Sequence, residues 1–127
     1  MGVDRPTTFV GMPIIDVTHG PRVAEQQLLR LAEVLPHVVS VAVECPEEPY
    51  DRALRPGDVE VRFRERGPHD VSDLDVVVEV RSKWTASREE TRQERCDQLC
   101  SALVAASGTR SVGVYLSLPV ASWSQGE

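Results

Sequence analysis

The stretch LDVVVEVRSKWTASREETRQERCDQLCSALVAASGTRSVGVYLSL (residues 74–118) decides the fold, because two strand patterns in it flank a helix pattern. Residues 74–81 are rich in valine, which favours a strand buried on both faces over part of its length. Residues 111–118 predict another strand, which Pro119 ends. The stretch therefore predicts one strand-helix-strand unit.

The helix of this unit has a recognisable beginning and end. Ser87 followed three residues later by Glu90 is a capping box, and Gly108 is typical of a C-terminal cap. The apolar stripe between them contains Cys96 and Cys100. Two thiols four residues apart are compatible with a metal site, but no histidine or third cysteine has matching spacing. We therefore interpret both cysteines as core residues and expect no metal.

The first half of the chain has the same order of patterns. Residues 13–18 predict a short strand, and strict alternation at 58–65 predicts a half-buried one. Between them, apolar residues recur at three- and four-residue steps, which predicts a helix over about 22–43 with a bend at Pro36. The β-branched run at 38–43 favours a strand instead, and that alternative stays open here.

Two such units in tandem predict an α+β fold, in which a four-stranded sheet carries two helices on one face. We expect repeats at about 13–66 and 74–119 within a single domain over 13–127, preceded by an N-terminal leader over 1–12. The strand at 74–81 is apolar enough to predict an apolar surface on the helix-free face of the sheet. We therefore expect other copies of the chain to cover that face.

The composition limits the function classes. The chain has 127 residues, 41% of them hydrophobic and 27% charged, which is typical of a globular domain. Its net charge of −6 argues against nucleic acid as a partner. No apolar run approaches the roughly 20 residues that a membrane-spanning helix needs, and no secretory signal is evident. Three cysteines without an export signal predict reduced thiols and a cytoplasmic location.

Four short strings resemble the tautomerase superfamily, in particular its members that carry two repeats in about this length. Their order and spacing carry the resemblance, which covers residues 12–123. The strings are MPIIDV at 12–17, VRFRE at 61–65, TASREETRQ at 85–93 and VGVYLSLP at 112–119. The resemblance implies the tandem fold, a homotrimer, a small carboxylate substrate and a reaction without a cofactor.

The resemblance also implies a catalytic proline. In that family the base is an amino-terminal proline freed by removal of the initiator methionine, and the matching residue here is Pro13. A free α-amine has a pKa of about 8, and burial beside cations lowers it, so the amine can act as a base near neutral pH. The implied reaction moves a proton on a small enolisable 2-oxo acid, whose carboxylate arginines hold.

Pro13 is internal in this sequence, and its nitrogen is therefore an amide without a basic lone pair. The implied chemistry requires that translation start at Met12 and the methionine be removed, or that the leader be cleaved. The alternative is a non-catalytic protein of this fold that serves as an assembly or ligand-binding subunit.

The substrate-binding residues depart from the family pattern as well. Relatives often place an arginine immediately before the serine that caps the second helix, where this chain has Ala86. Arg81, at the end of a strand, and Arg88, in the first helical turn, are the candidates that replace it. Tyr115, on the last strand, is a candidate hydrogen-bond donor. The alternative interpretation is that the arginines are solvated and the tyrosine is packed.

Overall fold

The computed structural model describes residues 13–49, 54 and 57–126. The expected leader over 1–12 lies outside these residues. The described elements follow the predicted order, except that the second helical region is divided into two helices. They are β1 (Ile14–His19), α1 (Glu25–Val43), β2 (Glu60–Glu65), β3 (Val76–Arg81), α2 (Ala86–Glu90), α3 (Arg92–Ser107) and β4 (Val112–Ser117).

The four strands form one mixed sheet in the order β2-β1-β3-β4. β1 pairs in parallel with β2 and antiparallel with β3, and β3 pairs in parallel with β4. Each strand-helix-strand unit thus supplies one inner and one edge strand. The predicted α+β sheet with helices on one face is confirmed.

The hydrophobic core lies between the sheet and the helices. Its large fully buried members come from the two inner strands and from α1 and α3: Ile15, Val17, Leu31, Leu35, Val39, Val43, Val76, Val78, Val80, Leu99 and Leu103. Burying each of these side chains contributes about 1.5–3 kcal/mol. The core therefore depends on both halves of the chain.

Helix α1 continues through Pro36 to Val43, so the strand alternative for 38–43 is wrong. The buried apolar residues of this part are Val39, Ala42 and Val43, which are spaced at three- and four-residue intervals. That spacing presents one helical face to the core, and this burial outweighs the β propensity of the valines.

The second helical region begins earlier than its capping box predicts. Thr85 is the N-cap of α2, and its Oγ1 accepts a hydrogen bond from the backbone N–H of Arg88 at 3.2 Å. Ser87, the predicted cap, instead donates its hydroxyl and backbone N–H to the Glu47 carboxylate, at 3.0 and 3.1 Å. The predicted C-terminal cap is confirmed, since Gly108 has the left-handed φ of 75°.

The helix-free face of the sheet is not the apolar surface that the valine content of 74–81 predicted. Side chains alternate along a strand, and β3 turns Val76, Val78 and Val80 towards the core. Its other face presents Val77, Glu79 and Arg81. The prediction of an apolar helix-free face is therefore wrong. Glu79 and Arg81 occupy two of the three positions that β3 turns to that face.

Candidate active site

Pro13 lies at the end of the sheet where β1 and β2 begin and β3 ends. It is buried, and its carbonyl accepts a hydrogen bond from the backbone N–H of Glu60 at 3.0 Å. The next residue, Ile14, is paired with Glu60 on one side and with Arg81 on the other. The sheet therefore fixes the backbone at Pro13 and places the backbone of Arg81 beside it.

Arg81 is on the helix-free face, and its guanidinium is directed along β1. Its Nη2 donates to a carboxylate oxygen of Asp16. Its Nε is buried and has no hydrogen-bond partner among the described residues. The side chain is 39% exposed, so a ligand approaching from solvent can reach part of the guanidinium.

Asp16 lies between two cations. Besides its contact with Arg81, its Oδ1 is 3.8 Å from Nη1 of Arg62 on β2. Arg62 in turn donates to Glu60 through Nε at 3.4 Å. Asp16 also contributes to the wall of a recess of about 570 Å³ on this face. The Pro13 end of the sheet therefore carries a chain of alternating charges.

Sequence reasoning did not identify Asp16 as a site residue. The signal was present in the string PIIDVTH at 13–19, in which one acidic residue interrupts an apolar strand. An acidic side chain in a central strand needs a partner, and the arginine-rich strand at 60–65 was the obvious source of one.

Arg88 is fully buried, unlike the other predicted substrate-binding residues. Its Nε donates to the carbonyl of Val43 at 2.7 Å, and its Nη1 donates to the carbonyl of Lys83 at 2.8 Å. The side chain thus joins the end of α1 to the segment that follows β3. The structure does not bring Arg88 to the surface on which Arg81 and Asp16 lie.

Tyr115 shares the helix-free face with Arg81. It is 67% exposed and is the register partner of Glu79, two residues before Arg81 on the adjacent strand. Tyr115 is therefore on the same face as Arg81, but β3 lies between Tyr115 and the strand that follows Pro13. The structure places Tyr115 at the rim of the candidate site.

Two other side chains that could act as a base, those of Glu60 and His19, lie at opposite ends of the sheet. Glu60 adjoins Pro13 through the backbone hydrogen bond. His19 ends β1, five residues beyond Ile14, which corresponds to about 17 Å along a strand. It is buried, and its Nδ1 lies 3.1 Å from the carbonyl of Gly20. Only Glu60 is placed to act near Pro13.

The two helical cysteines pack against β4. The thiol of Cys96 donates to the carbonyl of Val114 at 3.3 Å, and that of Cys100 donates to the carbonyl of Val112 at 3.8 Å. Desolvation raises the pKa of the Cys96 thiol. Within the described ranges, no cluster of three or more histidine, cysteine, aspartate or glutamate side chains is arranged to hold a metal ion.

No helix among residues 13–49 and 57–126 combines the length and apolar character needed to cross a membrane. No protein-family model and no curated protein sequence matches the chain.

Solved structures do match, over most of their length and of this chain. Malonate semialdehyde decarboxylase, described for decarboxylase and hydratase activities, has a TM-score of 0.64 at 18% identity, covering 90% of this chain and 91% of its own. A fused 4-OT that is a symmetric trimer has a TM-score of 0.57 at 18% identity, covering 84% and 85%. The fold is that of the tautomerase superfamily.

A third structure with the tautomerase fold is Pt0534 inactivated by 2-oxo-3-pentynoate. It has a TM-score of 0.54 at 16% identity, covering 81% of this chain and 82% of its own. The resemblance that the sequence strings indicated is thus confirmed at the level of the fold. At these identities a shared fold does not establish a shared activity, which has to be argued from the residues at the site.

Proposed function

We propose that this chain is a tautomerase or isomerase that moves a proton on a small enolisable 2-oxo acid, with Pro13 as the base once it becomes the N-terminus. The observation that carries the proposal is the position of Pro13, buried at the end of the sheet with Arg81 paired to the next residue. A secondary amine there would be desolvated, and desolvation favours its neutral, basic form.

Arg81 is the group proposed to hold the substrate carboxylate. It is partly exposed, unlike Arg88, and it is attached to the backbone directly beside Pro13. Tyr115 is proposed to donate a hydrogen bond from the rim. Arg88 would act indirectly, by fixing the carbonyl of Lys83 in the segment that follows Arg81. The reaction needs neither a metal nor an organic cofactor in this scheme.

The proposal includes a homotrimer in the cytoplasm. The support for the trimer is the symmetric trimer described for the fused 4-OT neighbour. The three free cysteines are consistent with a reducing compartment.

A second candidate function follows from the position of Pro13 in the sequence. If twelve residues remain attached before it, its nitrogen is an amide and carries no basic lone pair. The chain would then be a non-catalytic ligand-binding or assembly subunit, in which Arg81 still provides a cation for a small carboxylate.

The test compares a chain that begins at Pro13 with the full chain that begins at Met1. We expect the Pro13-start chain to ketonise the enol of phenylpyruvate or 2-hydroxymuconate, and the full chain to do so at the background rate. In the active form, Arg81→Ala should mainly raise KM, and Pro13→Ala should mainly lower kcat. Equal activity in a full chain whose leader is confirmed intact by mass would refute the proline mechanism.

An inactivation experiment supplies an independent readout. 2-Oxo-3-pentynoate is a conjugated alkynone. The nitrogen of a neutral secondary amine adds to its C4, one π bond of the alkyne is lost, and the N–H proton moves to C3, which leaves an enamine. We expect one adduct on the Pro13-start chain, located at Pro13 by peptide mass spectrometry. The full chain should carry none at this position, because its amide nitrogen is not nucleophilic.

A further inference from the structure

The guanidinium of Arg81 is directed away from the end of the sheet at which the substrate is proposed to bind. Arg81 is paired with Ile14, whereas Asp16, which accepts its hydrogen bond, is paired with Glu79. The ion pair therefore draws the guanidinium two residues along β1, or about 7 Å measured at the backbone. A carboxylate bound beside Pro13 would have to compete with Asp16 for Arg81.

The Asp16–Arg81 ion pair engages only one of the two N–H groups on one edge of the guanidinium. A ligand carboxylate can therefore compete with Asp16 for Arg81. Nε and Nη2 of an arginine point in the same direction and together bind one carboxylate through two parallel hydrogen bonds. Here Nη2 is occupied by Asp16, and Nε has no partner among the described residues. Because Nε is buried, a ligand carboxylate would first replace Asp16 at Nη2, and it would gain the second hydrogen bond once the guanidinium turns to expose Nε.

Asp16 also has a second cation, Arg62, with which it can form an ion pair. Its Oδ1 lies 3.8 Å from Nη1 of Arg62, which is beyond ordinary hydrogen-bond distance but close enough for an ion pair. Displacement by a ligand would let Asp16 approach Arg62 and would not leave a carboxylate without a counter-ion.

We propose that Asp16 is an internal competitor for the substrate carboxylate, one that occupies Arg81 in the free protein and transfers to Arg62 when a 2-oxo acid binds. Asp16 is therefore a positioning residue, and it sets the affinity for the carboxylate without contacting the reacting atoms. The identity of the ligand, a small 2-oxo acid, rests on the proposed function.

The test measures binding of phenylglyoxylate to the full chain by isothermal titration calorimetry. This 2-oxo acid has no α-hydrogen, so binding is observed without turnover and does not require a free Pro13. A partly exposed ion pair changes an equilibrium constant by up to about fivefold. We expect Asp16→Asn to lower Kd by about three- to fivefold, and Asp16→Glu to stay close to the wild type.

Two further variants separate competition from a general loss of negative charge or of structure. Glu79→Gln removes the same charge from the register partner of Asp16 and should change Kd by less than about a factor of two. Arg62→Gln removes the alternative partner of Asp16 and should weaken binding. In the Asp16→Asn background, the same Arg62 substitution should have a much smaller effect.

An unchanged or raised Kd in Asp16→Asn would overturn the inference, as would an equal effect of Glu79→Gln. The outcome is distinguishable from failure of the proposed function. If the Pro13-start chain turns over at the background rate while Asp16→Asn tightens binding, only the catalytic proposal fails. If that chain is active but Asp16→Asn leaves both Kd and KM unchanged, with kcat also unchanged, only the role of Asp16 fails.

Discussion

Replacement of Arg88 by alanine is expected to reduce the free energy of unfolding by about 3–5 kcal/mol, because it removes charge-assisted hydrogen bonds and leaves buried acceptors unpaired. Two charge-assisted hydrogen bonds are lost, to the carbonyls of Val43 and Lys83 at 2.7 and 2.8 Å. Each is worth about 1.5–3 kcal/mol, and a buried acceptor left without a donor costs a further 1–3 kcal/mol. These terms are not additive, because water entering the space left by the side chain would satisfy some of the acceptors.

The measurement is urea-induced unfolding monitored by tryptophan fluorescence at fixed protein concentration, since assembly would make the apparent stability depend on concentration. Arg30→Ala, which truncates an exposed arginine on α1, is the control and should change the free energy of unfolding by less than about 0.5 kcal/mol. Arg88→Lys should lie between the two, because one ammonium group cannot reach both carbonyls in the geometry of the guanidinium. A loss of less than about 1 kcal/mol in Arg88→Ala, together with weaker binding of a 2-oxo acid, would refute the structural role and restore Arg88 as a substrate ligand.

Two further predictions concern assembly and the thiols. Native mass spectrometry at micromolar protein should give three times 14.1 kDa, and a monomer at that concentration would contradict the proposed trimer. Cys96→Ala and Cys100→Ala should each lower the free energy of unfolding by about 1–2 kcal/mol, because each removes a side chain packed against β4. Since burial raises the pKa of Cys96, its alkylation by iodoacetamide in the folded protein should need a higher pH than in urea. Equal rates in the two states would show that the thiol is not desolvated.

Periodicity was sufficient to predict the strands and the long first helix. The alternation at 58–65 and the three- and four-residue spacing up to residue 43 both report one-sided burial, which is the property that the folded sheet and helix share. Propensity alone misleads at 38–43, because the valines favour a strand only where a neighbouring strand is available, and here α1 packs on the sheet instead.

The sequence-based predictions were wrong where the position of a side chain depends on tertiary contacts. The valine content of 74–81 predicts an apolar face only when the alternation of side chains is ignored, since Glu79 and Arg81 lie on the side that faces away from the core. Ser87 matches a capping box, but Glu47, 40 residues earlier, accepts its hydroxyl and backbone N–H, and no local pattern contains that information. The position of Arg88 in a first helical turn favoured an exposed side chain. Only folding brings the carbonyls of Val43 and Lys83 within hydrogen-bond distance of its guanidinium.

The candidate site was predictable in part. The resemblance implied a site at Pro13 and Arg81, and the structure pairs Arg81 with Ile14, because antiparallel pairing brings the end of one strand to the start of the other. The partnership of Arg81 with Asp16 depends on strand order and register. A sequence gives neither of these without knowledge of which strands are neighbours.

The carbonyls at the end of α1 are hydrogen-bonded by arginine side chains of α2 and α3, which are translated well after α1. Arg88 donates to Val43, and Nη1 of Arg95 donates to the carbonyls of Ala42 and Glu44 at 2.9 and 2.7 Å. These contacts span 45 to 53 positions of the chain. During synthesis the first strand-helix-strand unit emerges while the carbonyls of Ala42 and Val43 lack these guanidinium donors. The two repeats are therefore not independent folding units, and the first half acquires its final stability only after the second half has been translated.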